Sequence, residues 1–98
     1  MRITLIITRH WFDEIRSGRK IQEFRDMSTR LTRQICDFSG PLGVITFKPV
    51  TEIILYNGYN KNRPTMLVEC TGIEFFTQDD GYKCFAFNLG KVLKVENC

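Results

Sequence analysis

The sequence predicts a small α+β domain in which five to seven strands form a closed or nearly closed barrel beside two short helices. Three observations lead there. The length of 98 residues allows one domain, 1–98, with one core. Short β-branched runs bounded by turn residues recur along the chain, while apolar residues at helical spacing occur in only two places. Hydrophobic residues make up 43 % of the chain and include eight Phe and one Trp, which is ample for a single core, and the 26 % of charged residues is an ordinary share that gives no signal of disorder.

The elements follow in order. Residues 2–8 alternate weakly and read as a strand. Thr8 is placed to cap a helix by accepting a first-turn N–H, and Ile7 and Phe12 are spaced for a hydrophobic staple across that cap. Trp11, Phe12 and Ile15 share one helical face. Gly18 ends the helix where a left-handed residue is wanted and delivers Arg19 and Lys20 to the next strand. Ser28 is a second cap, and Leu31 and Ile35, four apart, predict a helix over 29–35. Residues 37–43 are turn material. Residues 44–47 and 52–56 read as strands, with Pro49 as an interruption or edge marker. The 57–64 segment reads as a loop ending at Pro64. A long strand over 65–76 bends at Gly72, and residues 78–81 make a turn. Strands over 82–89 and 91–95 are separated by Gly90.

Composition excludes several classes. No apolar run approaches the roughly 20 residues of a membrane-spanning helix, and residues 3–8 are too short for a signal-peptide core. Cys36, Cys70, Cys84 and Cys98 form no Cys-x-x-Cys pair and the lone His10 has no ligand-spaced partner, so no metal site or cofactor is expected. Cys70 and Cys84 read as small core residues, and Cys98 as terminal and exposed. Such usage fits a reducing cytoplasm. His10 reads as an exposed first-turn residue.

The net charge of +3 is unevenly spread. Residues 1–34 hold eight Lys/Arg against four acids, and seven of those eight bases are Arg. Arginine suits planar, bidentate contact with phosphates and base edges. Arg16, Arg30 and Arg33 are equally well read as solvated helix decoration.

The segment over 18–26 breaks strand alternation. Lys20, Gln22 and Asp26 fall on one face and Glu23 and Arg25 on the other, while Ile21 and Phe24 point opposite ways. A packed strand disfavours that pattern, but a strand lining a polar cleft carries it, and such local inconsistency clusters at functional sites. Glu23 and Arg25 share a face and can pair. Lys20 and Glu23, three apart, face opposite ways unless the strand bulges. An internal salt bridge anchoring the helix–strand joint is the plainer reading of the trio. Glu69 is a possible inward carboxylate with Lys20 or Arg25 as its partner.

Reduced to its spacing the segment is Gly18-x-Lys20-x-x-Glu23-x-Arg25, preceded by Trp11-Phe12-Asp13-Glu14-Ile15 on a helix. With these features the chain resembles the ASCH domain family, small β-barrels related to the PUA domains of RNA-modifying proteins. The run Asn57-Gly58-Tyr59 followed by Pro64-Thr65 is similar to one in short, mobile-element-associated members. The resemblance implies a PUA-like barrel whose motif lines a cleft. One branch of the family acts as an amidohydrolase on acetylated cytidine, through the motif Lys, a Thr three residues on and a Glu from elsewhere in the barrel. Lys20 matches the first, but Glu23 stands at the Thr position and removes that hydroxyl. Glu is the commoner residue there across the wider family, whose other members bind RNA or DNA and in some cases cleave RNA.

The 56–63 stretch interleaves Tyr56 and Tyr59 with Asn57, Asn60, Asn62, Lys61 and Arg63. Single-stranded nucleic acid asks for this mixture: rings to stack bases, amides to read edges, cations for phosphate. Asn and Gly also dominate ordinary turns for backbone reasons. The expected function is a nucleic-acid-binding module, for RNA rather than DNA. Arg19, Lys20 and Arg25 would contact phosphate together with Lys61 and Arg63, and Tyr59 would stack a base, in a cleft between the 18–26 segment and the 56–63 loop. The alternative is a small hydrolase acting on a modified nucleoside or RNA with Lys20 and Glu23 as its acid/base pair. A protein adaptor with a basic docking face is the third reading.

Overall fold

The computed structural model describes residues 1–97. Cys98, expected to be exposed, lies outside the described residues. The order is β1 (Arg2–Ile7), α1 (Arg9–Arg16), β2 (Gln22–Asp26), α2 (Thr29–Ile35), β3 (Cys36–Asp37), β4 (Thr46–Phe47), β5 (Glu52–Asn57), β6 (Thr65–Thr77) and β7 (Lys83–Glu96). The fold is mixed α+β. Five strands form one sheet in the order β1-β5-β6-β7-β2, and β3 and β4 form a separate pair. β1 runs parallel to β5, and the other pairings are antiparallel.

Alternation places the core. Ile3, Leu5 and Ile7 of β1 are buried while Arg2 and Thr4 are exposed. Ile53 and Leu55 of β5, Met66 and Val68 of β6, and Phe85 and Phe87 of β7 join them, as period-two side chains on one sheet face must. Phe12 and Ile15 of α1 and Leu31 and Ile35 of α2 close over this face. Cys36, Cys70 and Cys84 are buried free thiols, and burial pushes the Cys36 and Cys70 thiols above their ordinary value.

The caps divide between sequence expectation and correction. Gly18 takes a positive φ of 83° just past α1, which only glycine adopts without strain. Ser28 caps α2 by accepting the Leu31 N–H at 3.2 Å. Thr8, expected to cap α1 in the same way, makes no side-chain bond, and its carbonyl accepts the Phe12 N–H instead. Trp11 is not on the buried face with Phe12 and Ile15, since it is 47 % exposed. The residues read as two strands around Gly90 form one strand. A Cβ on Gly90 would lie 3.1 Å from the Glu69 Cβ, so glycine marks a close crossing of β6 and β7 rather than a break. The expected bend in β6 is present as register shifts between Leu67 and Gly72. The strand expected over 44–47 is cut to Thr46–Phe47.

Closure of the sheet into a barrel is not seen among the described residues. Among the described residues β1 and β2 share no ladder, so they are the two free edges of an open sheet. They approach each other nonetheless, because Arg25 Nη2 of β2 donates to the Ile6 carbonyl of β1 at 2.7 Å. Paired strands lie about 4.8 Å apart. A guanidinium spanning the gap requires a wider seam, and that seam is a cleft. Among the described residues no helix is long and apolar enough to cross a membrane.

Ser28→Ala should cost about 1 kcal/mol, as loss of a bonded helix cap does, whereas Thr8→Ala should stay within about 0.5 kcal/mol. Urea unfolding of both variants measures the difference. Equal losses would contradict the capping assignments.

Candidate functional site

The seam between β1 and β2 opens into a cleft of about 800 Å³, within the range of about 300–1,000 Å³ typical of ligand sites. One wall is β1 and the other is β2, with Trp11 of α1 and Arg30 and Gln34 of α2 at its margins. Glu23 and Arg25 line the cleft, whereas Lys20 lines a separate hollow with Ile15 and Leu89 and reaches Glu23 from there. Gly18 turns the chain back, and the Lys20 N–H bonds the Glu14 carbonyl at 3.0 Å, pinning the connecting segment to the end of α1. β2 begins only at Gln22, so Lys20 lies before the strand and escapes the face rule that would separate it from Glu23. Its Nζ reaches 3.6 Å from Glu23 Oε1. Glu23 and Arg25 do share the inward face, and Arg25 Nη2 sits 3.2 Å from Glu23 Oε2.

The result is a carboxylate only 6 % exposed between two cations, one of which also ties the sheet edges together. Burial of a lone carboxylate is strongly unfavourable, and here the two cations offset it. The Lys20 ammonium also lies 4.6 Å from the Trp11 ring centroid and 5.5 Å from that of Phe24, so aromatic faces shield its other sides. Phe24 is half-exposed on the outer sheet face against Phe76. Asp26, at the end of the β2 wall, accepts the Tyr82 hydroxyl proton, which holds that phenol above its ordinary value.

The other expected site residues lie elsewhere. Arg19 turns away to Glu14, Nε to Oε2 at 2.9 Å, and its guanidinium holds the Glu14 carboxyl below the ordinary value of 4.5. Tyr59, Lys61 and Arg63 are on the β5–β6 loop and none lines the cleft. Tyr59 is 82 % exposed, and the Arg63 guanidinium stacks 3.7 Å from the Tyr56 ring centroid. The second wall of the cleft is therefore β1, with α2 at its margin, and not the 56–63 loop. Glu69 does not join Lys20 or Arg25, because its carboxylate accepts the Lys91 N–H at the β6–β7 crossing.

Two residues gain importance that sequence reasoning did not give them. Trp11 offers an exposed ring at the cleft. Arg30 lines the same cleft and makes no ion pair among the described residues. The signal for Arg30 was its position on a helix without any acid, whose cations must find partners outside it. Comparison of the chain with family models, with curated proteins and with solved structures found no match in any of the three.

Two predictions follow from this geometry. Glu23→Gln should cost about 2 kcal/mol, less than the 3–5 kcal/mol of a fully buried pair because Lys20 and Arg25 are partly solvated. An unchanged urea midpoint would show that the trio does not stabilise the joint. Arg19→Gln should raise the Glu14 carboxyl toward its ordinary value, read by carbonyl NMR titration. Glu14 has a depressed value in the folded chain. The stability it contributes is therefore present above its unfolded-state value and lost as pH falls through the folded one.

Proposed function

We propose that this chain is an ASCH-type, PUA-like module that binds single-stranded nucleic acid, RNA in preference to DNA, in the cleft between β1 and β2. The observation that carries the reading is the convergence of an exposed Trp11, Glu23, Arg25 and Arg30, which makes no ion pair among the described residues, on one cleft, with Lys20 held against Glu23 from outside its lining. An aromatic ring beside cations and a hydrogen-bonding carboxylate is the set that single-strand recognition uses: stacking for the base, cations for the backbone, polar groups for the base edge. Arg30 takes the phosphate role expected of Arg19, which Glu14 occupies. Trp11 takes the stacking role expected of Tyr59. Tyr59, Lys61 and Arg63 remain available to a strand that leaves the cleft, as an outer contact. The three buried thiols agree with a reducing, cytoplasmic setting.

A second reading has its own support. Lys20 and the buried Glu23 stand 3.6 Å apart as an ion pair, a cation and a carboxylate that supply the acid and base types for hydrolysis of a modified nucleoside or an RNA bond. Labelled single-stranded RNA, followed by anisotropy at low and moderate salt and then recovered on a gel, separates the two. Binding that weakens with salt and leaves the RNA intact is expected. Arg30→Ala should flatten the salt slope by about 0.7, one phosphate contact on a single strand, and Trp11→Ala should cost about 1–3 kcal/mol of affinity. Cleaved RNA, with turnover lost and binding kept in Lys20→Ala, would favour the hydrolase. Binding indifferent to salt would remove the nucleic-acid reading.

A further inference from the structure

A phosphate site gathers cations, but the centre of this cleft holds a carboxylate. Glu23 stands between Lys20 and Arg25 and occupies the place an anion would take, so an incoming phosphate would meet repulsion there. The centre is built to accept hydrogen bonds. Each Glu23 oxygen is engaged by one cation, Oε1 by Lys20 and Oε2 by Arg25. A carboxylate has about four lone-pair sites, so each oxygen keeps one for a ligand. Two acceptors on one rigid group match two adjacent N–H donors.

Resting on the nucleic-acid reading above, we infer that the cleft selects guanine. On its Watson–Crick edge guanine presents O6, N1–H and the N2 amino group in that order, an acceptor followed by two adjacent donors. Glu23 accepts from N1–H and N2–H, and Trp11 stacks the ring. Adenine and cytosine place a ring-nitrogen acceptor beside their amino donor. Uracil flanks its single N–H with two carbonyls. Each of the three would turn an acceptor toward a Glu23 oxygen and leave a buried lone pair unmatched, which is the costly outcome for a desolvated polar group. Arg25, held on the Ile6 carbonyl at 2.7 Å, is a positioning residue that fixes the Glu23 carboxylate from behind.

The test uses the whole chain and uridine-rich seven-mer RNAs that differ only in a central guanosine, adenosine, cytidine, uridine or inosine. Anisotropy competition should rank guanosine about tenfold tighter than adenosine, cytidine or uridine, in the range of a bidentate base contact. Inosine, which lacks the N2 amino group, should lose most of that advantage. These comparisons vary the ligand and leave the protein fold untouched. Glu23→Gln, its fold checked by circular dichroism, should bind all five RNAs alike, because an amide offers one acceptor and one donor in place of two acceptors. Equal binding of the five RNAs by the unaltered protein would overturn guanine selection and leave the nucleic-acid reading standing. A guanosine preference retained in folded Glu23→Gln would overturn the role of Glu23. Binding of none of the five would overturn both readings together.

Discussion

The rest of the structure depends on how one buried carboxylate is compensated. Glu23 is placed in the interior by the alternation of β2, next to Phe87 of β7 in the ladder. A charge there must be matched, and the two groups that match it come from opposite sides. Lys20 comes from the connection before the strand, and Arg25 from two residues further along it. Arg25 also reaches the backbone of β1, so electrostatic compensation and closure of the sheet are the same event. A hydrophobic residue at position 23 would release both cations and remove the reason for the two sheet edges to face one another at this distance.

An open seam has a cost that the protein manages. Free strand edges expose unpaired backbone groups and invite pairing with other chains. Here α1 and α2 stand at the margins of the seam and Arg25 spans it, so the edge of β1 faces a polar cleft rather than bulk solvent. That arrangement turns a structural liability into a polar cleft. Backbone groups, a stacking ring and charged side chains are concentrated where the sheet does not pair with itself. The long β6–β7 hairpin supplies the rigidity behind it. Its register shifts near Gly72 and the close crossing at Gly90 coil the two strands and bring β2 round toward β1.

The distribution of charge takes on a different meaning in this light. The arginine-rich first third is not one undivided basic patch. Arg2, Arg9 and Arg19 are held by Glu52, Asp13 and Glu14, and Arg25 by Glu23. Arg30 and Arg33, on the acid-free α2, keep their charge uncommitted, since neither makes an ion pair among the described residues. Net charge therefore overstates the reach of the positive field, and the ion pairs decide which cations can meet a ligand.

The amino-acid sequence by itself determined the local elements and the identity of the trio. Caps, helical spacing and period-two runs are short-range properties, so the bounds of α2, the glycine stop of α1, the core strands and the pairing of Glu23 with Arg25 were legible in it. The broken alternation over 18–26 marked the site for the same reason. What the cleft faces was decided only by tertiary structure. Lys20 meets Glu23 because its backbone is pinned to Glu14 before the strand begins. Trp11 stands at the margin because Phe12 and Ile15 take the buried face. The second wall is β1 rather than the 56–63 loop because the sheet curls until its first and last strands meet. These are long-range arrangements, set by how the whole sheet packs around one charge, and no window of neighbouring residues encodes them.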